Sequence, residues 1–153
     1  MAVPSTSLPL HVFQILWYNV FMDAEEVKKT LTDYFSQFPD IDTVLLFGSF
    51  AKNCYTERSD IDIAIHSDKT LDYERLATIQ TDLALLTHHE IDLADLSKAK
   101  GFFLYQIMTT GIKIKISRTV FVKYLSLALG FKEDFLPTIE YMQREKIRRF
   151  ING

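Results

Sequence analysis

Apolar positions along the chain change their period several times, and each change marks an element. From Asp23 the period is helical, with Val27, Leu31, Tyr34 and Phe35 three or four residues apart. Asp23 followed by Glu26 reads as an N-cap with its capping-box partner. Phe38-Pro39-Asp40 stops this helix, because the residue before a proline is held out of the helical region. Thr43 to Phe47 is a short unbroken apolar run and predicts a buried strand, ended by Gly48-Ser49. After Phe50-Ala51 the chain is polar and irregular to residue 59. Asp60 to Ile65 then alternates, which predicts a second strand. Leu71 to Thr87 reads as a helix with Leu76, Ile79, Leu83 and Leu86 on one face, and Glu90 to Leu96 as a third strand. Phe102 to Thr110 is helical, closed by Gly111. Ile112 to Ile116 alternates strictly and predicts a fourth strand with its lysines on an exposed face. Arg118 to Leu129 and Glu133 to Ile151 read as two closing helices, separated at Gly130 and bent or started near Pro137. There is no internal repeat, linker or low-complexity tract. This order predicts an α+β domain around a small mixed sheet flanked by helices, with C-terminal helices last.

Length and charge narrow the picture. A chain of 153 residues is one ordinary domain. It is long enough to bury about two-thirds of its unfolded surface without a disulfide or zinc staple. A net charge of −3 argues against a general nucleic-acid binder, which needs a basic field, although a local basic patch is compatible with it. Cys54 is the single cysteine, so there is no disulfide framework and no cysteine-rich zinc site, as expected of a cytoplasmic protein. Residues 1–21 are apolar and aromatic, but Pro4 and Pro9 interrupt them, leaving a run too short to span a bilayer. They also lack the cationic start and cleavage site of a signal peptide. Met22 offers an alternative start, so residues 1–21 are expected to be an extension and residues 22–153 the domain.

Candidate chemistry concentrates in one stretch, Gly48-Ser49, ten residues, then Asp60-Ile61-Asp62. Residues i and i+2 of a strand share a face, so Asp60 and Asp62 lie side by side. Like charges that close raise each other's pKa unless a cation neutralises them. Hard oxygen ligands of this kind suit Mg²⁺, which takes one or two carboxylates plus substrate phosphates. Alone, such a pair is the ordinary wet face of an edge strand. Gly48 shifts that weighing, because glycine lets the backbone approach a ligand closely and turn N–H groups bind phosphate. Ser49 adds a hydroxyl donor. A phosphate-holding turn beside a metal-holding strand is what nucleotidyl transfer requires.

The pattern G-S-x10-D-x-D between apolar flanks resembles the signature of the DNA polymerase β-like nucleotidyltransferases, closely from Val44 to Ile65. A third acidic strand, Glu90 to Leu96, followed by Gly111, looks like the minimal nucleotidyltransferases (MNT proteins) of prokaryotes. The resemblance implies that Asp60 and Asp62 hold two Mg²⁺ ions and that a third carboxylate holds the catalytic one and helps deprotonate the acceptor. That third residue is Asp92 or Asp95, on opposite faces of the strand. Asp92 is preferred because it lies between apolar neighbours, as Asp62 does; Asp95 is free to cap the following helix. Two positions depart from the family. Phe50 stands where arginine often follows Gly-Ser, and Asn53 where a glycine is usual. Asparagine tolerates positive φ, so the turn survives, and Lys52 and Arg58 are candidates to supply charge to the nucleotide.

Other residues carry less. Adjacent His88 and His89 diverge and do not suggest a zinc site. Ser49 lacks the setting of a covalent nucleophile, and Cys54 has no activating neighbour. Arg144, Lys146, Arg148 and Arg149 read as a solvated helix face. The chain has little beyond a catalytic fold, so its acceptor surface is expected on another protein. The resemblance to MNT antitoxins implies a HEPN-domain ribonuclease toxin as partner, ATP as substrate and AMP transfer to a toxin tyrosine. Two readings stand beside it: the same chemistry on a small molecule such as an aminoglycoside, and an antitoxin that acts by binding alone.

Overall fold

The structure, a computed structural model, describes residues 22–152; the extension expected over residues 1–21 lies outside them. The element order is α1 (Ala24–Phe35), β1 (Ile41–Phe47), α2 (Gly48–Ala51), β2 (Ile61–Ser67), α3 (Tyr73–Thr87), β3 (Ile91–Asp95), α4 (Gly101–Thr110), β4 (Ile112–Lys115) and α5 (Arg118–Asn152). The capping box at α1 forms as read: Asp23 Oδ1 accepts from the backbone N–H groups of Glu25 and Glu26, and Glu26 accepts from that of Asp23.

The four strands form one mixed sheet in the order β3-β2-β1-β4, with β2 and β3 parallel and the other pairs antiparallel. The alternation of β2 sorts two cores. Ile61, Ile63 and Ile65 face a layer made by α1 and α3, where Val27, Leu31, Phe35, Ile79 and Leu83 meet Val44 and Leu46. On the opposite face Leu45 and Ala64 lie under α4 and α5, against Leu104, Ile107, Met108, Tyr124 and Ala128. Asp62 shares that second face with Ala64, and so does Asp60, just before the strand, by the same two-residue period. Asp40 ties the start of β1 to α3 through Arg75, whose guanidinium holds the Asp40 carboxyl below the usual carboxylate range.

Four expectations need correction. The chain from Arg118 is one continuous helix, not two. Glycine inside a helix costs only about 1 kcal/mol, and the side of α5 carrying Tyr124 and Ala128 packs on α4 strongly enough to carry the ladder through Gly130. Pro137 also sits inside this helix. Leu86 does not share the buried face of α3: it is exposed, and Thr87 turns inward beside Ile79 and Leu83. The β4 lysines are not simply solvated. Lys115 Nζ donates to the carbonyls of Phe35 and Phe38, closing the end of α1, and Lys113 lies over the Phe121 ring. Finally, Gly48-Ser49 opens a one-turn helix rather than a plain turn.

Among the described residues no helix is long and apolar enough to cross a membrane. The basic residues Arg144, Lys146, Arg148 and Arg149 are exposed, as the solvated-face reading has it.

Candidate active site

Strand register sets two of the three expected carboxylates side by side, and the third lies on the same face. Asp62 on β2 lies directly beside Asp92 on β3 in the parallel pairing, and both neighbour residues of the α4–α5 face, Ala64 and Ala94. Adjacent strands lie only about 4.8 Å apart. Asp60 precedes Asp62 by two residues and falls on the same side. Burial pushes the Asp62 carboxyl above its ordinary pKa, and the charges of Asp92 and Asp60 push it further. The site therefore gathers negative charge, and among the described residues no ion pair to Asp60, Asp62 or Asp92 offsets it. A divalent cation with a preference for oxygen ligands fits such a group.

Asp95 is used differently. Its Oδ1 accepts from the backbone N–H and the hydroxyl of Ser97, and its Oδ2 pairs with Lys98. It closes the turn after β3. It does not cap α4, whose N-cap position is Lys100.

Across from Asp62 stands Gly48, which the β1–β2 register places one residue beyond the Phe47–Asp62 pair. Gly48 has φ +69°, a left-handed conformation that favours glycine. A Cβ here would run into the Asp62 carboxylate. Backbone and carboxylate thus approach too closely for any side chain here, and the first turn of α2 opens at that point.

The connection from α2 to β2 is held by aromatic packing that the sequence pattern did not reveal. Phe50 is 1% exposed, stacked on Tyr55 at 4.3 Å and edge-on to His89 at 5.3 Å. The Tyr55 hydroxyl accepts from the N–H of Ala24, and His89 Nδ1 meets the Ser59 carbonyl at 3.0 Å. Asn53 adopts φ +54°, the positive value expected there. Phe50 therefore serves the scaffold of the loop and offers nothing to a phosphate. Lys52 and Arg58 are both exposed on this loop. His88 is exposed at the end of α3 while its neighbour His89 is buried, so the pair does diverge.

Among the described residues the group of three whose ligand atoms all lie within 4.8 Å of one another is Asp42, His66 and Asp68, not the three carboxylates above. It lies at the opposite end of β1 and β2 from Gly48. A bulge between Ile41 and Thr43 accompanies the approach of Asp42 to His66, whose Nδ1 lies 2.9 Å from the Asp42 carboxylate.

Comparison with known proteins shows the family and the fold. Residues 29–119 match the family described as polymerase beta, nucleotidyltransferase. The chain is 30% identical over 90 residues to the protein adenylyltransferase MntA of Shewanella oneidensis, an alignment covering 59% of this chain and 63% of that protein. It thus spans under two-thirds of that relative's length. The fold is similar to that of a toxin–antitoxin crystallised with AMP-PNP, with a TM-score of 0.62 at 20% identity over 82% of this chain and 98% of that one. A structure of a tri-AMPylated Shewanella oneidensis HEPN toxin in complex with its MNT antitoxin matches with a TM-score of 0.58 at 19% identity, over 85% and 99% of the two chains. The family match covers more than half of the sequence, including both faces of the carboxylate site, and the chain belongs to the polymerase beta nucleotidyltransferase family.

Proposed function

We propose that this protein is a Mg²⁺-dependent protein adenylyltransferase and antitoxin, transferring AMP from ATP to a tyrosine of a partner HEPN ribonuclease toxin. The observation that carries it is the shared face of Asp60, Asp62 and Asp92 opposite the left-handed Gly48. The likeness to an adenylyltransferase, and to complexes in which an MNT protein meets a HEPN toxin, supports the choice of substrate and partner.

In this reading the N–H groups at Gly48 and Ser49, with the Ser49 hydroxyl, hold phosphate oxygens of ATP. Lys52 and Arg58 reach the triphosphate from the loop. Asp60 and Asp62 would hold both Mg²⁺ ions and Asp92 one of them. Bound there, Mg²⁺ neutralises charge on the α-phosphate and on departing pyrophosphate. An Asp92 carboxylate oxygen receives the proton of the incoming tyrosine hydroxyl. The tyrosine arrives on a partner loop, so this chain needs no acceptor pocket of its own. Added AMP places bulk and negative charge beside the toxin's active site, where an RNA backbone would be repelled.

Intact-mass spectrometry of a co-encoded HEPN partner, after incubation with this protein, ATP and Mg²⁺, tests the reading. The expected result is a gain of one or more AMP units that tracks loss of ribonuclease activity. An inhibited partner of unchanged mass would replace catalysis with inhibition by binding.

The two acids of β3 are expected to separate. Asp92→Asn should cut turnover about a hundredfold or more while ATP affinity changes little, since the other two carboxylates and the Gly48-Ser49 turn still hold the triphosphate. Asp95→Asn should leave turnover near wild type and cost about 1 kcal/mol of stability, because it weakens the turn that Asp95 closes on Ser97. Single-turnover kinetics beside thermal melts read both effects, and the reverse ranking would move the third carboxylate to Asp95.

A further inference from the structure

Resting on that reading of the site, we infer that Phe103 is the platform on which the nucleobase of the substrate stacks. Phe103 lies in the first turn of α4 and belongs to neither core: the buried side of that helix is Leu104, Ile107 and Met108. The residue stays 45% exposed. Its ring nevertheless has a defined place, edge-on to Phe47 at 5.7 Å and 78°. Phe47 is paired with Asp62 across β1 and β2 and immediately precedes Gly48. Directly opposed residues of an antiparallel pair have Cβ atoms about 5 Å apart on one face. Phe103 therefore stands one ring away from the carboxylates and the phosphate turn.

A nucleotide whose phosphates lie at Gly48 and Ser49 must put its ribose and base within a few ångströms of that turn. The base needs a flat apolar surface there. Phe50 cannot supply it, being buried between Tyr55 and His89. Tyr55 already has one face on Phe50 and its hydroxyl on the Ala24 N–H. Phe102 is exposed too, but it is stacked on Tyr105, and its ring contact leads along α4 rather than to the strand that carries Gly48. Phe103 combines exposure with contact to the site. Stacking of a base on an aromatic side chain is tolerant of base identity and strongest for the larger purine face, so the platform selects for a base being present and favours purine nucleotides.

The test uses the full chain and two probes, ATP and inorganic tripolyphosphate, each titrated with Mg²⁺ by calorimetry. Phe103→Ala should weaken ATP binding between about fivefold and a hundredfold, the usual effect of deleting one stacking partner. It should leave tripolyphosphate binding unchanged, because that ligand has no base. Phe103→Trp should keep ATP affinity at or above wild type, and thermal melts should show all variants folded, as the side chain is half exposed. Equal ATP affinity in wild type and Phe103→Ala overturns the inference, as does a parallel loss of ATP and tripolyphosphate, which would mean a collapsed site. A variant that keeps ATP affinity but no longer modifies a protein partner also overturns it, and assigns the ring to docking. A wild-type protein that binds neither probe overturns the nucleotidyltransferase reading itself, with this inference, and is told apart because the failure precedes any substitution.

Discussion

Replacing Asp60 and Asp62 together with asparagine is expected to abolish nucleotide transfer and, in metal-free buffer, to stabilise the fold. The two effects have one cause. Metal stabilisation of a transferring phosphate is worth several kcal/mol, and each 1.4 kcal/mol is about tenfold in rate, so loss of the ligands should cost at least about a thousandfold. Stability moves the other way because burial, Asp92 and Asp60 all raise the Asp62 pKa. A carboxyl whose folded pKa lies above its unfolded value binds its proton more tightly in the native state. Its ionisation at neutral pH therefore costs stability, and that cost disappears as pH falls through the raised value toward the unfolded one near 4. The stability gap between the double variant and wild type should be widest at neutral pH and close on acidification. Mg²⁺ should raise the melting temperature of the wild type and leave the variant unmoved. Melts at several pH values, with and without Mg²⁺, beside a transfer assay, read all of this. Full transfer by the double variant would remove the catalytic assignment, and failure to fold would make the carboxylates structural.

Gly48→Ala is expected to have the second-largest effect. An alanine at φ +69° pays about 1–2 kcal/mol for the left-handed conformation alone. Its Cβ must also displace the Asp62 carboxylate, which sits over the glycine. Moving Asp62 disturbs a metal ligand and the phosphate turn at once, so transfer should fall about a hundredfold or more, with a stability loss on the order of 2–4 kcal/mol. Gly130→Ala is the control. It lies mid-helix with nothing within 4 Å of an added Cβ, and should stabilise by about 0.5–1 kcal/mol with transfer unchanged. If Gly48→Ala behaves like this control, the close approach of turn and carboxylate has no functional meaning.

Both predictions rest on residues whose importance is visible in the linear pattern. Local sequence alone places Gly48 after a buried strand and Asp60 and Asp62 on one side of the next, because strand period two is a property of the backbone. Helix starts were equally legible: Asp23 and Glu26 signal a capping box through their own side chains, three residues apart. Asn53 announced its positive φ by residue type. The preference for Asp92 came from its apolar neighbours, and these do sort Ile91 and Leu93 to one core and Asp92 to the other face. Its position directly beside Asp62 is a matter of inter-strand register, which no local pattern contains.

Where tertiary packing outweighs local preference, the pattern misleads. Gly130 reads as a break, yet α5 continues through it, because packing on α4 offsets a local cost of about 1 kcal/mol, and Pro137 lies inside the same helix. Leu86 reads as core, yet α3 turns Thr87 inward, continuing the four-residue line of Ile79 and Leu83. Phe50 marks a departure from the family in sequence, but only the fold shows it buried between Tyr55 and His89. Phe47 and Phe103 are 56 residues apart, and nothing in either segment pairs them. By itself the sequence determined most element types, the end of β1 at Gly48 and the face of the acid pair, because these depend on backbone period and residue chemistry over a few positions. The register of Asp92, the continuity of α5 and the pairing of Phe47 with Phe103 were decided by tertiary structure, because each depends on surfaces that meet only when separate segments pack.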